Sequence, residues 1–183
     1  MKDNYPRQRS WSDKYIQQSF DILEDVLGSK VTESTYEQDI LEGFDAITED
    51  GRTIALRFRR PTMAQFADEL TIRASVRSNG KTELDKIKSG TRADIYFGGL
   101  IGTDDKFAQW WAVDGDKLQS TILWDKPTPI DNVDDGTSFI AIDLEKNPEI
   151  VIRSYRQLGE MKIEVDSLIK QSMGSRYKQL MGK

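Results

Sequence analysis

The sequence predicts an α/β protein of three layers, in which a mixed central sheet is flanked by helices. Three observations carry this prediction. Apolar residues recur at helical spacing from Trp11 to Leu27. Apolar and polar residues alternate strictly from Thr53 to Arg59, which is typical of a half-buried strand. The run from Asp94 to Ile101 is almost wholly apolar, which indicates a central strand covered on both faces.

The length of 183 residues fits one domain with a sizeable core. We expect a flexible arm over 1–10, a single α/β domain over 11–147, and a basic helical extension over 148–183. The N-terminus lacks the apolar middle of a signal peptide, and no run reaches the length of about eighteen apolar residues that a membrane helix needs. The expected location is therefore cytoplasmic, without membrane contact.

Two absences restrict the chemistry. The chain has neither cysteine nor histidine, which excludes thiolate and imidazole metal sites, cysteine nucleophiles and the usual serine–histidine triads. Glycine-rich phosphate loops are also missing. An enzyme of this composition would use carboxylates, lysine, arginine or hydroxyl groups, with magnesium or manganese as the best-suited metal. The net charge of −5 argues against a uniformly basic nucleic-acid coat.

The remaining elements follow from local signals. Ser10 or Ser12 can cap the first helix, and Gly28 ends it. After a hairpin over 36–60, we expect a third strand over 70–76 beside it, a helix over 82–89 and paired strands over 94–101 and 107–113. A helical turn over 117–121, a loop over 125–137, a strand over 138–144 and a helical region over 151–183 complete the order.

The hairpin places three charged residues on one face. A three-residue loop ending in a left-handed Gly51 pairs Thr48 with Arg52 and Asp45 with Ala55. Asp45, Arg57 and Arg59 then lie together, opposite an apolar face. This arrangement suits a phosphate pocket, and an ordinary ion pair on a half-exposed strand is the alternative.

The order of elements and this hairpin resemble the restriction-endonuclease-like superfamily, the PD-(D/E)XK nucleases, over residues 11–115. In that family an aspartate on one strand and a Glu-x-Lys on its partner hold magnesium beside the scissile phosphate. Asp45 matches the first half of the motif, whereas Arg57-Phe58-Arg59 stands where Glu-x-Lys belongs. Arginine is neither a metal ligand nor a good general base.

The resemblance implies a restriction-endonuclease-like core and a set of site residues. Asp45, Arg57 and Arg59 would form the catalytic centre, and Asp45 with Glu24 and Glu69 would hold Mg²⁺ or Mn²⁺. The residues that would contact the DNA backbone are basic: Arg73, Arg77, Lys86 and Lys88.

Three functions remain open at this point. The first is a magnesium-dependent DNA nuclease, or a degenerate form that only binds DNA. The second is a non-catalytic interaction or inhibitor protein of a phage or mobile element, whose acidic stretch over 19–60 would imitate DNA. The third is a structural protein that docks through its C-terminal helix. That helix has seven basic and three acidic residues, and its apolar stripe predicts a homodimer.

Overall fold

The computed structural model describes residues 10–35, 43–75, 81–132 and 136–156. Residues 1–9 of the arm expected over 1–10 lie outside the described residues, as do Arg77 and the predicted dimer helix beyond Arg156; residue 10 is helical. Besides the helical residues 10–12, the described residues form three α-helices and nine strands, together with short 3₁₀ helices at Asp13–Tyr15, Pro61–Phe66 and Pro148–Ile150. The helices are α1 (Ile16–Leu27), α2 (Glu83–Ser89) and α3 (Gly115–Asp125); the strands are β1 (Val31–Glu33), β2 (Ala46–Thr48), β3 (Thr53–Arg59), β4 (Glu69–Ser75), β5 (Ile95–Ile101), β6 (Phe107–Asp114), β7 (Ile130–Asp131), β8 (Ser138–Asp143) and β9 (Val151–Arg156).

The predicted first helix is confirmed. Residues 10–12 are already helical, a 3₁₀ turn follows, and α1 continues to Leu27. Gly28 ends it in the left-handed conformation at φ 65°, which glycine adopts without steric cost. Ser12 makes no side-chain capping bond to the 3₁₀ turn that follows it.

The main sheet has six strands in the order β1-β2-β3-β5-β6-β9. Only β3 and β5 run parallel among these pairs, so the sheet is mixed, as predicted. All seven residues of β5 are buried. The apolar run from Asp94 to Ile101 therefore forms a central strand, and the short edge strand β1 was not predicted.

The position predicted for the third strand is wrong. β4 lies in a separate antiparallel sheet of order β4-β8-β7, and β5 takes the place beside β3. The physical reason is burial. The wholly apolar β5 gains from a central position covered on both faces, whereas β4 buries only alternate residues, Leu70 and Ile72.

Two apolar cores cover the faces of the main sheet. α1 packs on one face, around Phe97 and Ile54, and α2, α3 and the smaller sheet pack on the other, around Tyr96 and Ala55. This confirms the α/β class with helices on both sides of the sheet. Trp111 is buried in the second core and Trp110 packs against the first, as alternation along a strand requires.

The predicted helix over 151–183 is wrong for its first six residues. Val151–Arg156 form β9, which pairs antiparallel with β6, and the ring of Tyr155 stacks on Trp110 at 6.3 Å. The open edge of β6 offers a row of backbone hydrogen bonds, and β9 satisfies them. In the described part of the chain, no helix is long and apolar enough to span a membrane.

A candidate acid–arginine site

The β2–β3 hairpin has the predicted register. Ala46 pairs with Ile54, Ile47 pairs with Thr53, and Gly51 is left-handed at φ 88°. Asp45 lies directly before β2. Its backbone N–H donates to the carbonyl of Ile54 at 2.8 Å, and its carboxylate lies 3.6 Å from the guanidinium of Arg57. Asp45 and Arg57 are consequently on the same face of the sheet.

Asp45 is held at the start of β2 by the neighbouring strand. Its Oδ2 accepts a hydrogen bond from the backbone N–H of Leu56 at 2.7 Å and lies 3.6 Å from Nη1 of Arg57. The side chain of Asp45 retains 38% of its accessible surface and that of Arg57 retains 36%. The pair therefore remains within reach of a ligand from solvent.

A second carboxylate, Glu83, joins this pair from α2. Nη2 of Arg57 donates to Oε1 of Glu83 at 2.5 Å, and Oε2 accepts from the backbone N–H of Arg73 at 3.2 Å. A capping box between Thr82 and Asp85 fixes the start of α2, so Glu83 is its first residue. The capping signal is readable in the sequence, but the contact with Arg57 is not, since it joins distant segments.

The two carboxylates keep Arg57 charged. Burial of the guanidinium lowers the pKa of Arg57, but the attraction of Glu83, and to a smaller extent that of Asp45, outweighs burial and raises the pKa above its usual value. Arg57 thus stands as a permanent cation between two anions. Removal of either anion would leave a partly buried charge with weaker compensation.

Lys86 reaches the same region from the next turn of α2. A β-carbon added at Gly43 would lie 2.5 Å from Nζ of Lys86, so the ammonium lies against the backbone two residues before Asp45. Gly43 has φ 77°. We refer to Asp45, Arg57, Glu83 and Lys86 as the acid–arginine cluster.

Arg59 shares the strand face but is directed elsewhere. Its Nη1 donates to the carbonyl oxygens of Phe66, at 2.5 Å, and of Glu69, and Nη2 lies 3.4 Å from Oγ1 of Thr71. Burial lowers the pKa of Arg59, although Glu69 opposes this shift. Arg59 therefore ties the connection after β3 to β4, and the structure gives it no contact with Asp45.

The structure does not bring the three predicted metal-binding carboxylates, Asp45, Glu24 and Glu69, together. Glu24 lies on α1, across the main sheet from the cluster, where its Oε1 accepts from the backbone N–H of Val31 at 3.0 Å. Glu69 begins β4 in the smaller sheet. Within 10–35, 43–75, 81–132 and 136–156, no group of three acidic side chains could hold a metal ion.

The described members of the predicted DNA-contacting set, Arg73, Lys86 and Lys88, lie on α2 and β4. Lys86 belongs to the cluster, Lys88 is exposed near the end of the helix, and Arg73 is exposed on β4 beside it. This part of the surface therefore combines several cations with the two carboxylates.

A scan against protein-family models finds no match, and a search of curated proteins finds none either. The chemistry of the cluster consequently rests on its own residues. Two partly exposed carboxylates supply hard oxygen donors, and Arg57 and Lys86 supply positive charge for an anion. This composition suits a phosphate group together with a divalent cation.

Proposed function

We propose that the protein is a nuclease of the PD-(D/E)XK type in which α2 supplies the groups missing from β3. Glu83 replaces the strand glutamate as the second acid, and Lys86 replaces the strand lysine. Asp45 keeps the role that the resemblance assigns to it. The observation that carries the proposal is the shared contact of Asp45 and Glu83 with Arg57, with Lys86 one helical turn after Glu83 and its ammonium against Gly43.

The arrangement of the elements supports this proposal. From α1 to β5 the chain forms a helix, the antiparallel strands β1 to β3, strand β4 of the smaller sheet, helix α2 and then β5, which runs parallel to β3. The cluster lies where the hairpin and α2 meet. In the family that the sequence resembles, the site is built on the corresponding hairpin.

Asp45 and Glu83 fit a magnesium or manganese ion by the chemistry of their donors. Mg²⁺ is usually bound through one or two carboxylates, with water and substrate phosphate completing its shell, so a third acid is not required. A cation held there would act as a Lewis acid on the oxygens of the scissile phosphate.

Arg57 and Lys86 have separate roles in this proposal. Arg57 neutralises the two carboxylates in the free protein and holds them in place, so we expect weak metal binding until an anionic phosphate is present. Lys86 would neutralise charge that develops on the phosphate during cleavage, because a preorganised cation costs no reorganisation. Both effects make nucleic acid and metal bind cooperatively.

A non-catalytic interaction protein is the second candidate, and one observation favours it. The guanidinium of Arg57 already satisfies both carboxylates without any metal. In that case the cluster would be a structural ion-pair network on a reused scaffold. The same experiment separates the two functions.

The experiment measures cleavage of end-labelled single-stranded and duplex DNA and RNA with Mg²⁺, Mn²⁺ or EDTA. We expect metal-dependent cleavage by the wild-type protein and a loss of about 100-fold or more in Asp45→Asn, Glu83→Gln and Lys86→Met. Glu24→Gln and Glu69→Gln are the matched controls and should retain wild-type rates. Each control removes one carboxylate outside the cluster.

Two results would contradict the proposal that the protein is a nuclease. One is the absence of wild-type cleavage on every substrate and metal, which would favour the interaction protein. The other is cleavage that survives Asp45→Asn and Glu83→Gln at the wild-type rate, because the activity would then belong to another site or to a contaminant.

A further inference from the structure

A hollow of about 230 Å³ lies between α2 and α3, outside the acid–arginine cluster. Its floor is apolar and two lysines stand on its rim. The lining residues are Leu84, Lys88, Ile122, Leu123, Lys126 and Pro127. The hollow thus has the composition of a binding surface with an apolar contact and a preference for negative charge.

The most exposed large apolar side chain of the described residues belongs to the helix that lines this hollow, one residue after Leu123. Trp124 retains 87% of its accessible surface, and its neighbour Leu123 retains 48%. Leu118 and Ile122 of the same helix are buried, so α3 is anchored by its inner face and presents Trp124 outward. An indole held on a fixed helix and left in water is a ready stacking platform.

The lysines give the surface its charge preference. Lys88 and Lys126 are exposed, and both line the hollow. An occupant must therefore carry negative charge at two points around a flat or apolar group. Unpaired nucleotides meet this requirement, since each offers a base face for stacking and a phosphate for a lysine.

We infer that Trp124, Lys88 and Lys126 bind single-stranded nucleic acid, with a base stacked on the indole and phosphates at the two lysines. A duplex would bind less well, because its base faces are covered by neighbouring pairs and its grooves offer only edges. The choice of nucleic acid as the occupant rests on the proposed function.

α2 carries residues of both surfaces on different faces. Glu83 and Lys88 are five residues apart, which corresponds to about 7.5 Å along the helix axis and about 140° around it. The surface at Trp124 is therefore separate from the acid–arginine cluster, and its binding can be tested independently of cleavage.

The test measures binding of the full chain to fluorescein-labelled oligothymidylate in EDTA, so that cleavage cannot affect the result. We expect Trp124→Ala to weaken binding by about 5- to 150-fold, the range found for the loss of one stacked base, and Trp124→Phe to restore much of the affinity. We expect Lys88→Gln/Lys126→Gln to flatten the log–log salt dependence by about 1.4 units.

Matched controls keep the test specific. Tyr155→Ala removes another exposed aromatic residue, and Lys14→Gln/Lys30→Gln removes two exposed lysines that flank α1. Both should bind as wild type does. Circular dichroism of each variant checks folding, and Trp124 is exposed enough that its removal should leave the thermal midpoint nearly unchanged.

Four outcomes would overturn the inference. They are wild-type protein that does not bind oligothymidylate, unchanged affinity in Trp124→Ala, equal affinity for a labelled poly-glutamate peptide, and a dimer in light scattering that Trp124→Ala converts to monomer. The third would assign the surface to an acidic protein partner and the fourth to self-association. If the protein binds oligothymidylate in EDTA but cleaves no substrate with Mg²⁺ or Mn²⁺, the binding surface is supported and the proposed nuclease function is contradicted.

Discussion

The guanidinium of Arg57 donates to Glu83 at 2.5 Å across 26 residues of sequence. The same guanidinium lies 3.6 Å from Asp45. A cation therefore joins Asp45, directly before β2, to α2, which carries an acid that was not predicted from the sequence. This relationship decides which residues a functional test should change.

Arg57→Ala should destabilise the protein by about 1 to 3 kcal/mol, because charge-assisted hydrogen bonds are lost and two carboxylates are left facing each other. Urea unfolding measures this change. In a double-mutant cycle with Glu83→Gln, we expect a coupling of about 0.5 to 1.5 kcal/mol, discounted for the partial exposure of the pair. A coupling near zero would contradict the contact.

Gly98→Ala should destabilise the protein by about 1 to 3 kcal/mol through overpacking. An added β-carbon would fall within 2.5 Å of three ring atoms of Trp111, whose indole N–H is fixed to the carbonyl of Ala67 at 3.1 Å. Trp111→Phe makes room, so the double variant should lose less stability than the sum of the single changes. Additive losses in thermal unfolding would argue against this close approach.

Much of the hairpin and its cluster face could be predicted because local rules determine them. The length of the turn and the left-handed Gly51 set the register, and the register brings Asp45 and Arg57 to one face. The burial of β5 was likewise predictable from its apolar run. In each case the residues that decide the structure are close in sequence.

The remaining features depend on contacts between distant segments. Glu83 becomes a site residue only when α2 packs beside β3, and β4 leaves the main sheet only because β5 occupies that edge. The pattern of Val151, Ile152 and Tyr155 fits a helix as well as a strand, and the open edge of β6 decides between them. Tertiary context overrides local propensity at these places.

Arg59→Lys should lower the free energy of unfolding by about 1 to 3 kcal/mol. Nη1 of the guanidinium donates to the carbonyls of Phe66 and Glu69 while Nη2 reaches Oγ1 of Thr71. A lysine side chain is shorter and ends in one nitrogen, so it cannot keep all three contacts and an acceptor loses its partner. Arg153→Lys is the matched control, since Arg153 is exposed and pairs with Asp25 at 2.9 Å. We expect the control to change stability by less than about 0.5 kcal/mol. Equal losses of unfolding free energy in Arg59→Lys and Arg153→Lys would show that Arg59 does not hold the connection after β3 against β4.

The capping box of α2 should contribute to the fall in the free energy of unfolding at acid pH. Hydrogen bonds from the backbone N–H and the side chain of Thr82 lower the pKa of Asp85. A carboxyl group whose pKa is depressed on folding stabilises the protein above its unfolded pKa, and this contribution disappears as the pH falls through the folded value. Asp85→Asn should therefore flatten the fall of unfolding free energy below about pH 4, whereas Asp125→Asn, an exposed control on α3, should not.

Thr82→Ala should cost about 1 kcal/mol and raise the pKa of Asp85, measured by NMR titration of its carboxyl carbon. An unchanged titration in Thr82→Ala would mean that Thr82 does not hold this carboxylate.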